Sequence, residues 1–349
     1  MPQFIRAFAA HAALATIAMT CSLPAAADDV ADFYRGKQMQ LVIGHEPGGG
    51  YDLYGRLVGR HITKHLPGNP RIVPQNMVGA GSRVAANWLY NIAPKDGSVL
   101  GVTAQTTPLD QALKQQGVMF DASKFNWIGN PIVDNQVFLA WHQAGVNSLP
   151  EARDKGGLIC GGTGASTNPS MLPKIINYVA GTKIRVVEGY QGGNNVFLAM
   201  ERGEVNCIGS FSWSTAKATV SHHLRDNKFN ILVQWGPSKN PEIAEYAHHD
   251  VPLMDEYARD EIDRGLIKMM SSGMAIGRPI YAPPGVPEVR VAALRKAFDD
   301  TVKDPDFLEE AKKAKAEIRP MSGAQLQALV TEVVQSPPAA VAKMRELLD

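Results

Sequence analysis

Gln40-Leu41-Val42-Ile43-Gly44-His45-Glu46-Pro47-Gly48-Gly49-Gly50-Tyr51-Asp52 reads as a buried strand that runs into three consecutive glycines and then into a helix. Glycines at such a turn let the backbone approach a ligand closely and present its N–H groups. The positive end of the following helix points at the same place, so a carboxylate or phosphate could be held there without a basic side chain. Asp52 follows at once, and its side chain is expected to fix the loop, leaving ligand contacts to the N–H groups of Gly49, Gly50 and Tyr51. A second turn of the same kind is Cys160-Gly161-Gly162-Thr163-Gly164-Ala165-Ser166-Thr167. Two anion-holding turns in separate strand–helix units predict a ligand gripped between two lobes.

Outward from these turns the chain alternates short apolar runs with helical periods. Strands are expected at Met39–Gly44, Arg71–Asn76, Val99–Thr103, Leu158–Cys160, Ile184–Glu188, Val205–Ile208 and Asn230–Gln234. Leu53, Leu57, Val58 and Ile62 fall on one helical face, as do Leu172, Ile175, Ile176 and Val179. The pattern predicts an α/β protein with mostly parallel sheets flanked by helices. The C-terminal part is helical, with Ser322 and Gln325 forming a capping box, and these helices are expected to pack back onto the first lobe.

The first 27 residues read as an export signal. Arg6 is the positive region, Ala7 to Met19 the apolar core, and Pro24-Ala25-Ala26-Ala27 the cleavage site before Asp28. The remaining chain is longer than one core usually spans, which predicts two lobes. Their expected bounds are 28–137 with 278–349, and 138–277. Segments near Phe138–Trp141 and Ile276–Ile280 are expected to cross between them as a hinge. Without Arg6 the 35 basic residues come level with the 34 acidic ones. A neutral chain without basic clusters argues against nucleic acid or an anionic membrane as partner. Cys160 and Cys207 could be bridged after export, but the sequence favours reading them as two small buried residues.

Other chemistries fit poorly. Gly48-Gly49-Gly50-Tyr51-Asp52-Leu53 lacks the Lys-Ser/Thr pair of a phosphate loop. The turns at Gly79 and Gly162 miss the last small residue of a dinucleotide fingerprint. His45-Glu46 precedes Pro47 and glycines, so no zinc-protease helix can form. The adjacent pairs His222-His223 and His248-His249 are expected to point to different faces. Ser210 and Ser214 have no base nearby in sequence and no nucleophile elbow. No catalytic, metal or cofactor site is predicted.

Pro47-Gly48-Gly49-Gly50-Tyr51-Asp52 with Arg56, Gly79-Ala80-Gly81, and Ala93-Pro94-Lys95-Asp96-Gly97 together resemble the extracytoplasmic solute receptors of tripartite tricarboxylate transporters, the TctC or Bug family. Gly162-Thr163-Gly164-Ala165-Ser166, Gly189-Tyr190-Gln191-Gly192-Gly193, Gly203-Glu204-Val205-Asn206 and Ala282-Pro283-Pro284-Gly285-Val286-Pro287 extend the resemblance over the chain. It implies a two-lobed periplasmic binding fold of the type II, Venus-flytrap kind that closes on a small organic acid. It also implies a monomer without catalytic activity or cofactor, which delivers its ligand to a two-subunit membrane permease. By position, one carboxylate pincer is Gly49, Gly50 and Tyr51. The other is Thr163, Gly164, Ala165 and Ser166, with Tyr190 and Gln191 on the wall and bridging waters between. Asn206 and Ser210 stand where aspartate is common, Met77-Val78 replaces Arg-Pro, and Gln105-Thr106-Thr107 is more polar than usual. Ser210, Gln105 and Thr107 are thus expected to form a neutral, hydrogen-bonding wall. A sensing adaptor for a receptor kinase would need the same export and closure, and an exported hydrolase would need converging catalytic groups that the sequence does not suggest.

Overall fold

The computed structural model describes residues 23–165 and 167–348, so the expected signal core and Ser166 lie outside the described residues. Two mixed sheets organise the chain. The first has strands β1 (Gln38–Ile43), β2 (Arg71–Asn76), β3 (Val99–Val102), β4 (Asn126–Asn130), β10 (Ile280–Ala282) and β11 (Met321–Ser322). The second has β5 (Gln136–Trp141), β6 (Ile159–Gly161), β7 (Arg185–Val187), β8 (Cys207–Ser212) and β9 (Phe229–Trp235). Their orders are β11-β4-β10-β3-β1-β2 and β7-β6-β8-β5-β9.

The two sheets follow one plan. β1 pairs in parallel with β2 and β3, and β6 in parallel with β7 and β8. Within each sheet one strand lies antiparallel between two neighbours: β10 between β3 and β4, and β5 between β8 and β9, while the edge strand β11 is also antiparallel to β4. The reversals of β10 and β5 follow from the crossings between sheets. The chain leaves β4 and enters the second sheet as β5, then returns after the Glu261–Ala275 helix and enters the first as β10. Central strands are buried on both faces; β5, for instance, is buried at all six positions. That burial requires helices on both sides of the sheet.

Three expectations need correction. Phe138–Trp141 is no hinge, because it lies inside β5 and pairs on both edges with β8 and β9. The first crossing is 131–135, the second 276–279. Cys160 and Cys207 are bridged: they face each other across β6 and β8 with Cα atoms 4.3 Å apart. The sequence hid this because the partners meet only through sheet register. The final helix, Pro338–Leu348, leaves the first lobe and packs on the Glu261–Ala275 and Asn168–Ala180 helices, where Lys174 Nζ donates to the Leu348 carbonyl at 2.7 Å. No helix among the described residues is long and apolar enough to cross a membrane.

Candidate functional site

A cavity of about 520 Å³ opens between the sheets, at the strand ends where both glycine turns lie. On the first lobe, β1 ends at Ile43 and the Gly50–Ile62 helix begins after an extended Gly49 that provides no side-chain cap. The opening N–H groups of a helix have no partner within it, so those of Gly50 and Tyr51 remain available. Asp52 braces the loop instead of blocking it. It accepts from Gly48 N–H at 3.0 Å, Arg56 Nε at 2.8 Å and Asn76 Nδ2 at 2.9 Å. Burial alone would raise its pKa, but these hydrogen bonds outweigh that and hold it below the usual carboxylate range.

The sequence reading missed the strongest charge in the cleft. Arg278, on the second crossing, is 6% exposed and lines the cavity. Its Nη1 donates to Gln105 Oε1 at 3.4 Å and to the Gly277 carbonyl at 3.3 Å, and its Nη2 to Thr215 Oγ1 at 3.3 Å. Its Nε has no partner, and no ion pair to a carboxylate is formed among the described residues. The guanidinium carbon lies 4.4 Å from the Tyr51 ring centroid, and the His45 ring stacks on Tyr51 at 3.9 Å. The Tyr51 hydroxyl accepts from Gln105 N–H at 3.0 Å. A buried guanidinium with an open donor and no counter-charge suits an anion, since its desolvation is otherwise uncompensated. Arg278 is the only charged residue between Lys268 and Glu288, and that isolation in an apolar crossing was the available signal.

His45 adds a second unpartnered atom, its Nε2. Burial first, and then the charge on Arg278, lower its pKa to about 3, so the ring is neutral at physiological pH. Gly50 explains the close packing here. A Cβ on it would come 2.8 Å from Thr215 Oγ1 and 3.2 Å from Arg278 Nε, so only glycine lets the helix start meet both lobes.

The second lobe differs from the expected pincer. Gly164 N–H donates to Glu188 Oε2 at 3.1 Å, and Ser170 Oγ donates to the same oxygen at 2.8 Å. Thr163 lines the cavity, with its hydroxyl 2.9 Å from that of Thr167, whereas Gly164 and Ala165 are not among the lining residues. Thr107 is turned inward on Thr103 at 3.0 Å, and Thr106 lines the cavity in its place. Gln105, Tyr190, Gln191 and Ser210 do line it, Ser210 donating to Gln136 Oε1 at 3.1 Å. Asn168, at the start of its helix, is buried with Oδ1 unpartnered. Away from the cleft, His222 and His223 share one side, with rings 3.9 Å apart, instead of facing opposite ways. Their helix is one irregular turn, so alternation does not apply, and His223 Nε2 lies 2.7 Å from Glu201. Those three residues place potential ligand atoms within 4.8 Å of one another on the outer surface.

No protein-family model matches the chain, and no curated protein matches it in sequence. Solved structures do. The periplasmic binding protein BugD superposes with a TM-score of 0.69 at 18% identity, over 90% of this chain and 98% of its own. MatC from Rhodopseudomonas palustris, solved with malate, gives 0.67 at 20% identity, over 90% and 99%. A second R. palustris protein, solved with adipate, gives 0.66 at 17%, over 89% and 97%. The chain therefore has the two-lobed fold of periplasmic binding proteins.

Proposed function

We propose that this chain is a periplasmic solute receptor of the TctC or Bug kind, which captures a small organic carboxylate between its lobes and presents it to a two-subunit tripartite tricarboxylate transporter permease. The observation that carries the reading is Arg278: a buried cation with no counter-charge among the described residues, lining the cavity beside the uncapped start of the Gly50–Ile62 helix. The fold adds support, because structures sharing it were solved with malate and adipate. The crossings at 131–135 and 276–279 make a natural hinge, with one lobe built on β1–β4, β10 and β11 and the other on β5–β9. Arg278 on that hinge touches Gln105 of one lobe and Thr215 of the other, so a ligand on its guanidinium would report directly to closure. Reading residues 1–27 as a cleaved signal places the receptor outside the cytoplasm.

Micromolar capture needs about 8 kcal/mol. Two or three charge-assisted hydrogen bonds at about 1.5–3 kcal/mol each, with burial of the ligand's carbon body, reach that range. Binding, not turnover, is the expected chemistry, since Ser210 is bonded to Gln136 and Ser214 to Asp134, with no histidine in either pair. A thermal-shift screen of mono-, di-, tri- and aromatic carboxylic acids tests the proposal. An acid at 100 times its dissociation constant should stabilise the fold by about 2.7 kcal/mol. No shift from any acid at millimolar concentration would refute it.

A further inference from the structure

Away from the cleft, the second lobe gathers three side chains of the kinds that bind transition metals. Glu201 closes the Gly193–Glu201 helix, and His222 and His223 stand on the short Ser221–Arg225 helix. None of the three lines the cavity. One donor atom from each lies within 4.8 Å of the other two, and no other three His, Cys, Asp or Glu side chains converge in this way among the described residues.

Neighbouring residues on a regular helix point about 100° apart, so two adjacent histidines on one side need a cause. It lies in the backbone. The helix has only five residues, and Val220 (φ −125°, ψ 29°) and Asp226 (φ −87°, ψ 11°) on either side of it depart from helical geometry. The two rings end 3.9 Å apart at 43°. Edge contacts with Trp141 at 5.3 Å and Phe229 at 5.6 Å hold the His223 ring, whose side chain is only 12% exposed. Its Nε2 lies 2.7 Å from Glu201 Oε1. Glu201 and His222 are exposed, so their side chains have room to rotate.

The surroundings suit a cation. Glu201 stands at the negative end of its helix, whose last turn carries no basic residue. Arg202, next in the chain, pairs with Glu204 at 3.8 Å, and among the described residues no lysine or arginine pairs with Glu201.

We infer that Glu201, His222 and His223 form a binding site for a divalent transition-metal ion on the outer surface of the second lobe. Two imidazoles and a carboxylate suit zinc, copper or nickel, whereas magnesium and calcium prefer oxygen donors alone. Around a tetrahedral ion, bonds of about 2.0–2.1 Å set the donors roughly 3.3 Å apart. Donors already within 4.8 Å of one another reach that spacing by small side-chain rotations. Solvent would fill the fourth position. Such an ion would clamp the end of a helix whose start, at Gly193 to Asn195, lines the cleft. The inference does not depend on which ligand the cleft takes.

Calorimetric titration of the tag-free mature protein with zinc chloride, and with magnesium chloride for comparison, tests the site. One zinc ion should bind per chain and raise the melting temperature, with magnesium at least about a hundredfold weaker. His222→Ala and Glu201→Gln change exposed positions, and each should weaken zinc binding at least about tenfold. Electron paramagnetic resonance of the copper(II) form should show two imidazole nitrogens in the wild type and one in His222→Ala. Failure to bind zinc, equal affinity for magnesium, or unchanged zinc affinity in either variant with a normal melt overturns the inference. Should a variant fail to fold, the wild-type copper spectrum decides, and fewer than two nitrogens overturns it.

Discussion

Arg278 is held at a cost to the empty protein. Its guanidinium is buried against the Tyr51 ring, donates only to neutral oxygens at 3.3–3.4 Å, and leaves Nε without a partner. A buried charge without a counter-charge destabilises the fold until something neutralises it. Arg278→Met should therefore raise the stability of the unliganded protein by at least about 1 kcal/mol while abolishing acid binding. Urea unfolding and calorimetry on the same sample would expose a failure of either half. Arg278→Lys keeps charge but loses the planar fork and the stacking on Tyr51, and should weaken binding roughly 10- to 150-fold. Gly50 is the second critical position. Gly50→Ala brings a methyl against Thr215 Oγ1 and displaces Arg278, so affinity should fall at least about tenfold with the fold retained. Because the closest atom is the threonine hydroxyl, adding Thr215→Ala should recover part of the loss; a double variant no better than the single would place the clash elsewhere.

At the scale of elements, the two strand–turn–helix units use one design for different ends. The turn after β1 has its loop braced by Asp52 from behind, which leaves the helix start open. The turn after β6 is filled by Glu188, which comes from just past the neighbouring strand β7. The glycines made both turns legible in the sequence, but nothing local to 160–167 announces a carboxylate that arrives from residue 188 through sheet pairing. The Cys160–Cys207 bridge was hidden for the same reason, as it ties β6 to β8 across a separation of 47 residues. Reducing it releases that constraint on the unfolded chain, so the mature protein should lose about 2–4 kcal/mol of stability in reductant. Identical urea curves with and without dithiothreitol would show that the bridge does not form.

Across the whole molecule, two buried groups give opposite pH dependences. His45 has its pKa lowered to about 3, so the unfolded chain takes up a proton that the folded one refuses, and stability falls as pH drops from about 6.5 towards 3. Asp110 is raised to about 7 by burial, with Arg83 opposing. The folded chain there keeps a proton that the unfolded one releases, so stability rises as pH drops from about 7 towards 3.8. Each contributes at most about 1.4 kcal/mol per pH unit, and over the shared window they offset each other. His45→Gln should therefore gain stability relative to wild type as pH falls from 7 towards 4, and Asp110→Asn should lose stability relative to wild type over the same range. Chemical denaturation at pH 4.5, 5.5 and 6.5 checks both signs, and parallel curves for all three proteins would contradict the assignment.

The residue order by itself determined the α/β class, most of the strands, the glycine turn at 48–50 with Asp52 as its brace, and the Ser322 capping box. Each of these depends on neighbours a few residues apart, where periodicity and capping chemistry act. Only the tertiary structure decided the reversed strands β5 and β10, the position of the crossings, the disulfide, the filling of the second turn by Glu188 and the placing of Arg278 in the cleft. These depend on which distant segments pair in a sheet, and that choice is made by burial summed over the whole fold. No short window of sequence carries that sum.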